Sequence, residues 1–162
     1  MSSFLIIDGY NIINKWPKLI KAKCKSIELA REALYNIVQK YSDFTGTKAT
    51  IVYDGKGKES QHIKGDVDVI FSSEKETADS IIETLVYNAK EPNRIKVVTD
   101  DNVQRNMVMG MGSFTLSCRS FEKEVGQAQK DLTQHLLEAN RDLSNKCWAG
   151  RNHLWQKKGR SG

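Results

Sequence analysis

The sequence predicts one α/β domain on a mostly parallel sheet covered on both faces, and three observations carry that prediction. Short continuous apolar runs recur at residues 4–7, 49–53 and 95–99, each of the length of a buried strand. Between them lie segments whose apolar residues return at helical spacing, and strands alternating with helices of this length imply parallel pairing. The chain is 162 residues long and 39% apolar, the size of a single domain with one real core.

The elements follow in order. Residues 4–7 form a strand stopped by Asp8-Gly9. Ser26 then opens a helix in which Ile27, Ala30, Leu34, Ile37, Val38 and Tyr41 share a face, and Gly46 closes it. Residues 49–53 give a second strand, again ending in Asp-Gly, at Asp54-Gly55. Val67, Val69 and Phe71 alternate with Asp66, Asp68 and Ile70, as in a strand with one poorer face. Ser73 followed by Glu76 reads as a capping box that starts the helix carrying Ala78, Ile81, Ile82, Leu85, Val86 and Ala89. Pro92-Asn93 breaks the chain before the strand at 95–99, which ends in Asp100-Asp101. A short helix from about Asn102 stops near Gly110, and a last strand covers 114–116. Phe121, Val125, Ala128, Leu132, Leu136 and Leu137 mark a long closing helix. With no internal repeat and no linker, the reading is one domain over 1–140 and a C-terminal extension over 141–162.

Composition excludes several classes. No apolar run approaches 18 residues, which argues against a spanning helix, and the N-terminus has no basic segment of a secretory signal. Cys24, Cys118 and Cys147 are odd in number and far apart, and His62, His135 and His153 are equally scattered. Neither a disulfide framework nor a zinc site fits that spacing. The cysteines read as small packing residues in a reducing compartment, and the expected location is cytoplasmic, without membrane contact.

The formal charge is +5, and the whole excess sits in the last 22 residues. There Arg141, Lys146, Arg151, Lys157, Lys158 and Arg160 face Asp142 alone, beside Trp148, His153 and Trp155. Basic residues interleaved with aromatics suit a nucleic-acid backbone with bases to stack. A solvated, frayed tail is the plain alternative. Two further basic stretches run from Lys15 to Lys25 and through Lys56, Lys58 and Lys64, the last in a glycine-punctuated loop.

The acids are the informative feature. Asp8, Asp54 and Asp100/Asp101 each stand at the carboxyl end of a predicted parallel strand, where open α/β sheets bind ligands. Glu76 and Asp79, three apart, are expected to share a face of the first turn of the capped helix. Taken singly, each has a structural reading as a turn residue, a helix cap or a complement to the helix dipole. Converging, they would repel unless a cation neutralised them. Oxygen ligands without His or Cys indicate Mg2+ or Mn2+, and such an ion in a crevice suits in-line displacement at phosphorus.

With these residues in place the chain resembles the NYN-domain ribonucleases of the PIN-like superfamily, and more narrowly the YacP-like group. The resemblance rests on Asp8-Gly9-Tyr10-Asn11 with Trp16-Pro17, then Val52-Tyr53-Asp54-Gly55, Glu76-Thr77-Ala78-Asp79 and Val98-Thr99-Asp100-Asp101. It continues through Gly110 and Gly112 to Ser117 and Arg119, and spans about residues 4–125. It implies a PIN-like three-layer α/β/α sandwich and a divalent-metal endoribonuclease. By motif, Asp8, Asp79 and Asp101 fall on the metal-binding acids, with Asp54 beside them as an auxiliary metal ligand and Glu76 as an auxiliary catalytic acid. Asn11 would hold a water or a phosphate oxygen. Ser117 and Arg119 would contact RNA phosphate, together with Lys56 and Lys58 and, from the tail's own chemistry, Arg151, Trp155, Lys157 and Lys158. The resemblance also implies messenger RNA on the ribosome as substrate and partner. Asp100 departs from the pattern, which usually has a small or hydroxyl residue before the acid.

Rival classes lack a residue each. A haloacid-type phosphatase wants a second acid two residues after Asp8, where Tyr10 stands; a receiver domain wants a lysine where Ser117 stands. No glycine-rich phosphate loop ending in Lys-Ser or Lys-Thr is present. The remaining alternative is a non-catalytic RNA- or ribosome-binding module of the same fold.

Overall fold

The computed structural model describes residues 3–55 and 65–158, with side chains as far as residue 150. Strands β1 (Phe4–Asp8), β2 (Lys48–Tyr53), β3 (Val67–Phe71), β4 (Ile95–Val98) and β5 (Phe114–Leu116) form one sheet. Their order is β3-β2-β1-β4-β5, and every pairing is parallel. The helices are α1 (Gly9–Ile13), α2 (Pro17–Lys23), α3 (Ile27–Thr45), α4 (Ala78–Tyr87), α5 (Asn102–Gly110) and α6 (Cys118–Lys158). Asp8 pairs with Val52 and Ile7 with Val98, so β1, β2 and β4 finish nearly level.

Alternation along the strands builds the three layers. Leu5 and Ile7 enter a core with Ile12 and Ile13 of α1, Leu19 of α2, Leu34 and Val38 of α3, and Phe121 and Val125 of α6. Ile6, one residue out of phase, joins Val52 and Val97 in a second core under Ile82 and Val86 of α4 and Val108 of α5. A one-residue slip of β1 would exchange the two sets of side chains, so burial on both faces fixes the register. Helices thus flank both faces of a five-stranded parallel sheet, as the alternation of elements predicts.

Several local expectations are corrected. The helix carrying Asp79 begins at Ala78, capped by Thr77, whose hydroxyl accepts from the Ser80 N–H at 3.2 Å. Ser73 instead closes a tight turn, its hydroxyl accepting from the Lys75 N–H. Glu76 therefore precedes the helix, and it does not share a helical face with Asp79. Between Asp8 and Ser26, where no element is expected, lie two short helices, α1 and α2, the second carrying Lys18, Lys21 and Lys23 of the lysine-rich stretch. Cys118 is buried, but Cys24 and Cys147 are exposed and pack nothing away. Leu136 and Leu137 of the closing helix are exposed as well.

The chain divides into two compact units, Met1–Gly126 and Gln127–Gly162. Among the described residues no helix is long and apolar enough to cross a membrane.

Candidate active site

Strand order places β1 at the centre, with β2 and β3 laid to one side and β4 and β5 to the other. The reversal falls between β1 and β4, and the crevice beyond the carboxyl ends of two such strands is the usual ligand site of a doubly wound sheet. Four segments deliver acids there. Asp8 is the last residue of β1, Asp54 follows β2, Asp79 lies in the first turn of α4, and Asp101 follows β4 as the cap of α5.

Their proximity shows in their titration. Burial pushes the Asp8 carboxyl up to about 6, and the charges of Asp79 and Asp101 add to the rise. Asn11 opposes it through its backbone N–H and side chain, although the Asp8 carboxylate closes no capping bond of ordinary length onto α1. Asp79 is raised too, by desolvation and then by Asp101 and Asp54. Carboxylates that raise one another hold an unmet demand for positive charge.

Each acid is held by its neighbours. Asp54 Oδ1 accepts from the Ser72 hydroxyl at 2.8 Å and from the Ala78 N–H at 3.3 Å, tying the end of β2 to the start of α4. Asp101 Oδ1 accepts from the Val103 and Gln104 N–H groups, which fixes it as the cap of α5. Asp100 turns the other way: its Oδ1 accepts from the Cys118 N–H at 2.9 Å. Asn11 Oδ1 accepts from the Asp100 N–H and the Cys118 thiol, pinning the segment after β4 and the start of α6 to α1.

Sequence reasoning passes over Gln104. This residue is 2% exposed, and its Nε2 donates to Asp79 Oδ1 at 2.7 Å while its backbone N–H donates to Asp101. It therefore couples two acids that come from different helices. Its Oε1 is buried without a partner among the described residues. No local spacing announces such a role, because Gln104 sits in α5 and Asp79 in α4.

Of the other expected residues, Glu76 is exposed in the turn before α4 and is not among the charges that shift Asp8 or Asp79. Ser117 caps α6, its hydroxyl accepting from the Ser120 N–H, with Arg119 exposed beside it. Lys56 and Lys58 lie outside the described residues, as do the side chains of Arg151, Trp155, Lys157 and Lys158.

Among the described residues no three Asp, Glu, His or Cys side chains form a ready-made ligand group. The donor chemistry nonetheless fits a hard divalent ion. All the converging groups are oxygen donors, and Mg2+ characteristically takes one or two carboxylates and keeps several waters.

Comparison with known proteins agrees with this fold. Residues 5–158 match the model of the YacP-like NYN domain. The chain is 33% identical over 136 residues to YacP of Bacillus subtilis, covering 82% of this chain and 80% of that protein. A crystal structure of Rae1 (YacP) from Bacillus subtilis superposes with a TM-score of 0.74 at 30% identity, covering 98% of this chain and 91% of the other. A single-substitution variant of the same protein gives a TM-score of 0.74 at 31% identity, over 86% and 84% of the two chains. The chain belongs to the YacP-like NYN-domain family, a nuclease-type α/β fold.

Proposed function

We propose that this chain is a divalent-metal-dependent endoribonuclease, and that its substrate is messenger RNA on the ribosome. The observation that supports the reading most is the convergence of Asp8, Asp54, Asp79 and Asp101 from four segments at the sheet's switch point, with Asp8 raised to about 6. The ribosome and messenger RNA enter through the likeness to the YacP group alone.

In this reading Asp8, Asp79 and Asp101 hold Mg2+ or Mn2+, and Asp54 beside them steadies the start of α4. The ion, when bound, supplies Lewis acidity toward a phosphodiester and makes water a competent nucleophile near neutral pH. The chain's own part is positional. Asn11 steers the Asp8 carboxylate, Gln104 fixes the separation of Asp79 from Asp101, and exposed Arg119 is free to meet an RNA phosphate.

The test maps RNA ends in a translating ribosome mixture and on the same RNA without ribosomes. Wild type with Mg2+ or Mn2+ should create new ends that chelation, Asp8→Asn and Asp79→Asn each abolish, both variants staying folded. Ends on naked RNA as well would remove the ribosome from the substrate. Intact RNA throughout, with binding retained, would make the chain a binding module.

A further inference from the structure

A second charged feature lies at the same sheet edge, on the face opposite α4 and α5. Arg31, in the second turn of α3, sits with its guanidinium carbon 5.5 Å from the Tyr10 ring centre, 5.6 Å from Tyr53 and 5.2 Å from Phe71. Tyr53 ends β2, Phe71 ends β3, and Tyr10 follows Asp8 by two residues, so the rings line the carboxyl ends of three neighbouring segments. Tyr53 and Phe71 stack at 5.3 Å. Arg31 Nε donates to the Tyr10 hydroxyl at 3.1 Å, and Nη2 donates to the same oxygen.

This leaves a half-buried cation with unused donors. A guanidinium carries five N–H groups, and Tyr10 accepts from only two of its nitrogens. Among the described residues no carboxylate pairs with it. Aromatic faces attract a cation by roughly 0.5–2 kcal/mol, but they accept no directed hydrogen bond in the guanidinium plane. Three rings and a hydroxyl immobilise the fork in advance, which lowers the entropy lost on meeting a planar or tetrahedral oxyanion. Asp8 of the acid cluster ends the strand that Tyr10 follows, two residues on across Gly9.

We infer that Arg31, seated among Tyr10, Tyr53 and Phe71, is a phosphate subsite for single-stranded RNA, engaging the backbone beside the bond that the acid cluster addresses. The inference takes its ligand from the ribonuclease reading, but its readout is binding without cleavage. If Arg31 only capped the aromatic cluster, an apolar side chain of similar length would serve as well.

The experiment uses the full chain with Asp8→Asn to block cleavage, and measures binding of a labelled single-stranded oligoribonucleotide across a salt series. Arg31→Met keeps the apolar stem on the rings and removes the charge. Loss of one phosphate interaction should reduce the log–log salt slope by about 0.7, so that the affinity deficit of the variant shrinks about 2.5-fold between 50 and 200 mM salt. Arg31→Lys should retain the slope and bind more weakly, because it loses the two-pronged geometry. An unchanged slope in folded Arg31→Met overturns the inference, and so does an unsubstituted chain that does not bind the oligoribonucleotide. Should Arg31→Met fail to fold, the Arg31 Nε–H resonance of the otherwise unaltered protein decides: no response to the oligoribonucleotide overturns the subsite. RNA that is bound with the expected slope but never cut by wild type, on the ribosome or off it, would sink the nuclease reading alone.

Discussion

Asp8 makes folding stability depend on pH in a direction opposite to that of an ordinary salt-bridged carboxylate. Its folded value, about 6, lies above the usual 3.8, so between those values the folded chain holds more proton than the unfolded one. Its stabilising contribution is complete below about pH 4, falls as pH rises through 6, and is flat beyond. Without divalent ions, Asp8→Asn should be more stable than wild type at pH 8 by roughly 2–3 kcal/mol, and the difference should vanish near pH 4. Denaturant titrations at the two pH values check this; a constant difference would mean that burial does not raise the Asp8 carboxyl. Adding Mg2+ or Mn2+ at pH 8 should raise the melting temperature of wild type but not of Asp8→Asn. Gln104→Leu keeps the volume and removes the donor to Asp79, so divalent-ion affinity should drop about tenfold or more with the fold retained. An unchanged ion titration by calorimetry would reduce Gln104 to packing. Neither Gln104 nor Arg31 is legible in the sequence, because each acts on residues of other elements and carries no spacing signature. Asp8, Asp54 and the Asp100-Asp101 pair are legible because a short apolar run followed by aspartate reports both a strand and its end, without choosing between Asp100 and Asp101.

At the level of elements, the turn from β1 into α1 depends on a close approach. A Cβ on Gly9 would stand 2.2 Å from the Tyr53 ring, although the Gly9 backbone itself is not left-handed. Gly9→Ala should cost about 1–3 kcal/mol through displacement of that ring. Combining it with Tyr53→Leu should cost clearly less than the two single losses together, which a double-mutant cycle by urea denaturation measures. Strict additivity would show that the two sites do not touch. The strands are the easiest elements to read, since continuous apolar runs survive burial on both faces. The helices α1 and α2, of five and seven residues, are shorter than the window in which a 3.6-residue period can be recognised, and α2 buries only Leu19 among lysines. The start of α4 is harder to place because two hydroxyl caps compete within five residues. Ser73 carries the stronger motif, whereas Thr77 is the one that Asp54 holds at the sheet edge through the Ala78 N–H.

For the whole molecule, charge and core are separated along the chain. Residues 1–140 balance to neutrality, and the excess of five positive charges lies in the last 22 residues. Removing residues 141–162 should flatten the salt dependence of binding to single-stranded RNA by about 0.7 for each phosphate that those residues neutralise. A slope identical to that of the full chain would leave those residues a solubilising role. The sheet order has a further result, for biosynthesis. The central strand is the first to be made, yet it must wait for β2 on one edge and, after β2 and β3, for β4 on the other. Asp8 and Asp101 are 93 positions apart and meet only when that second edge closes. A nascent chain therefore cannot bring these acids together until β4 has emerged, and for that interval the open β1 edge is exposed to mispairing.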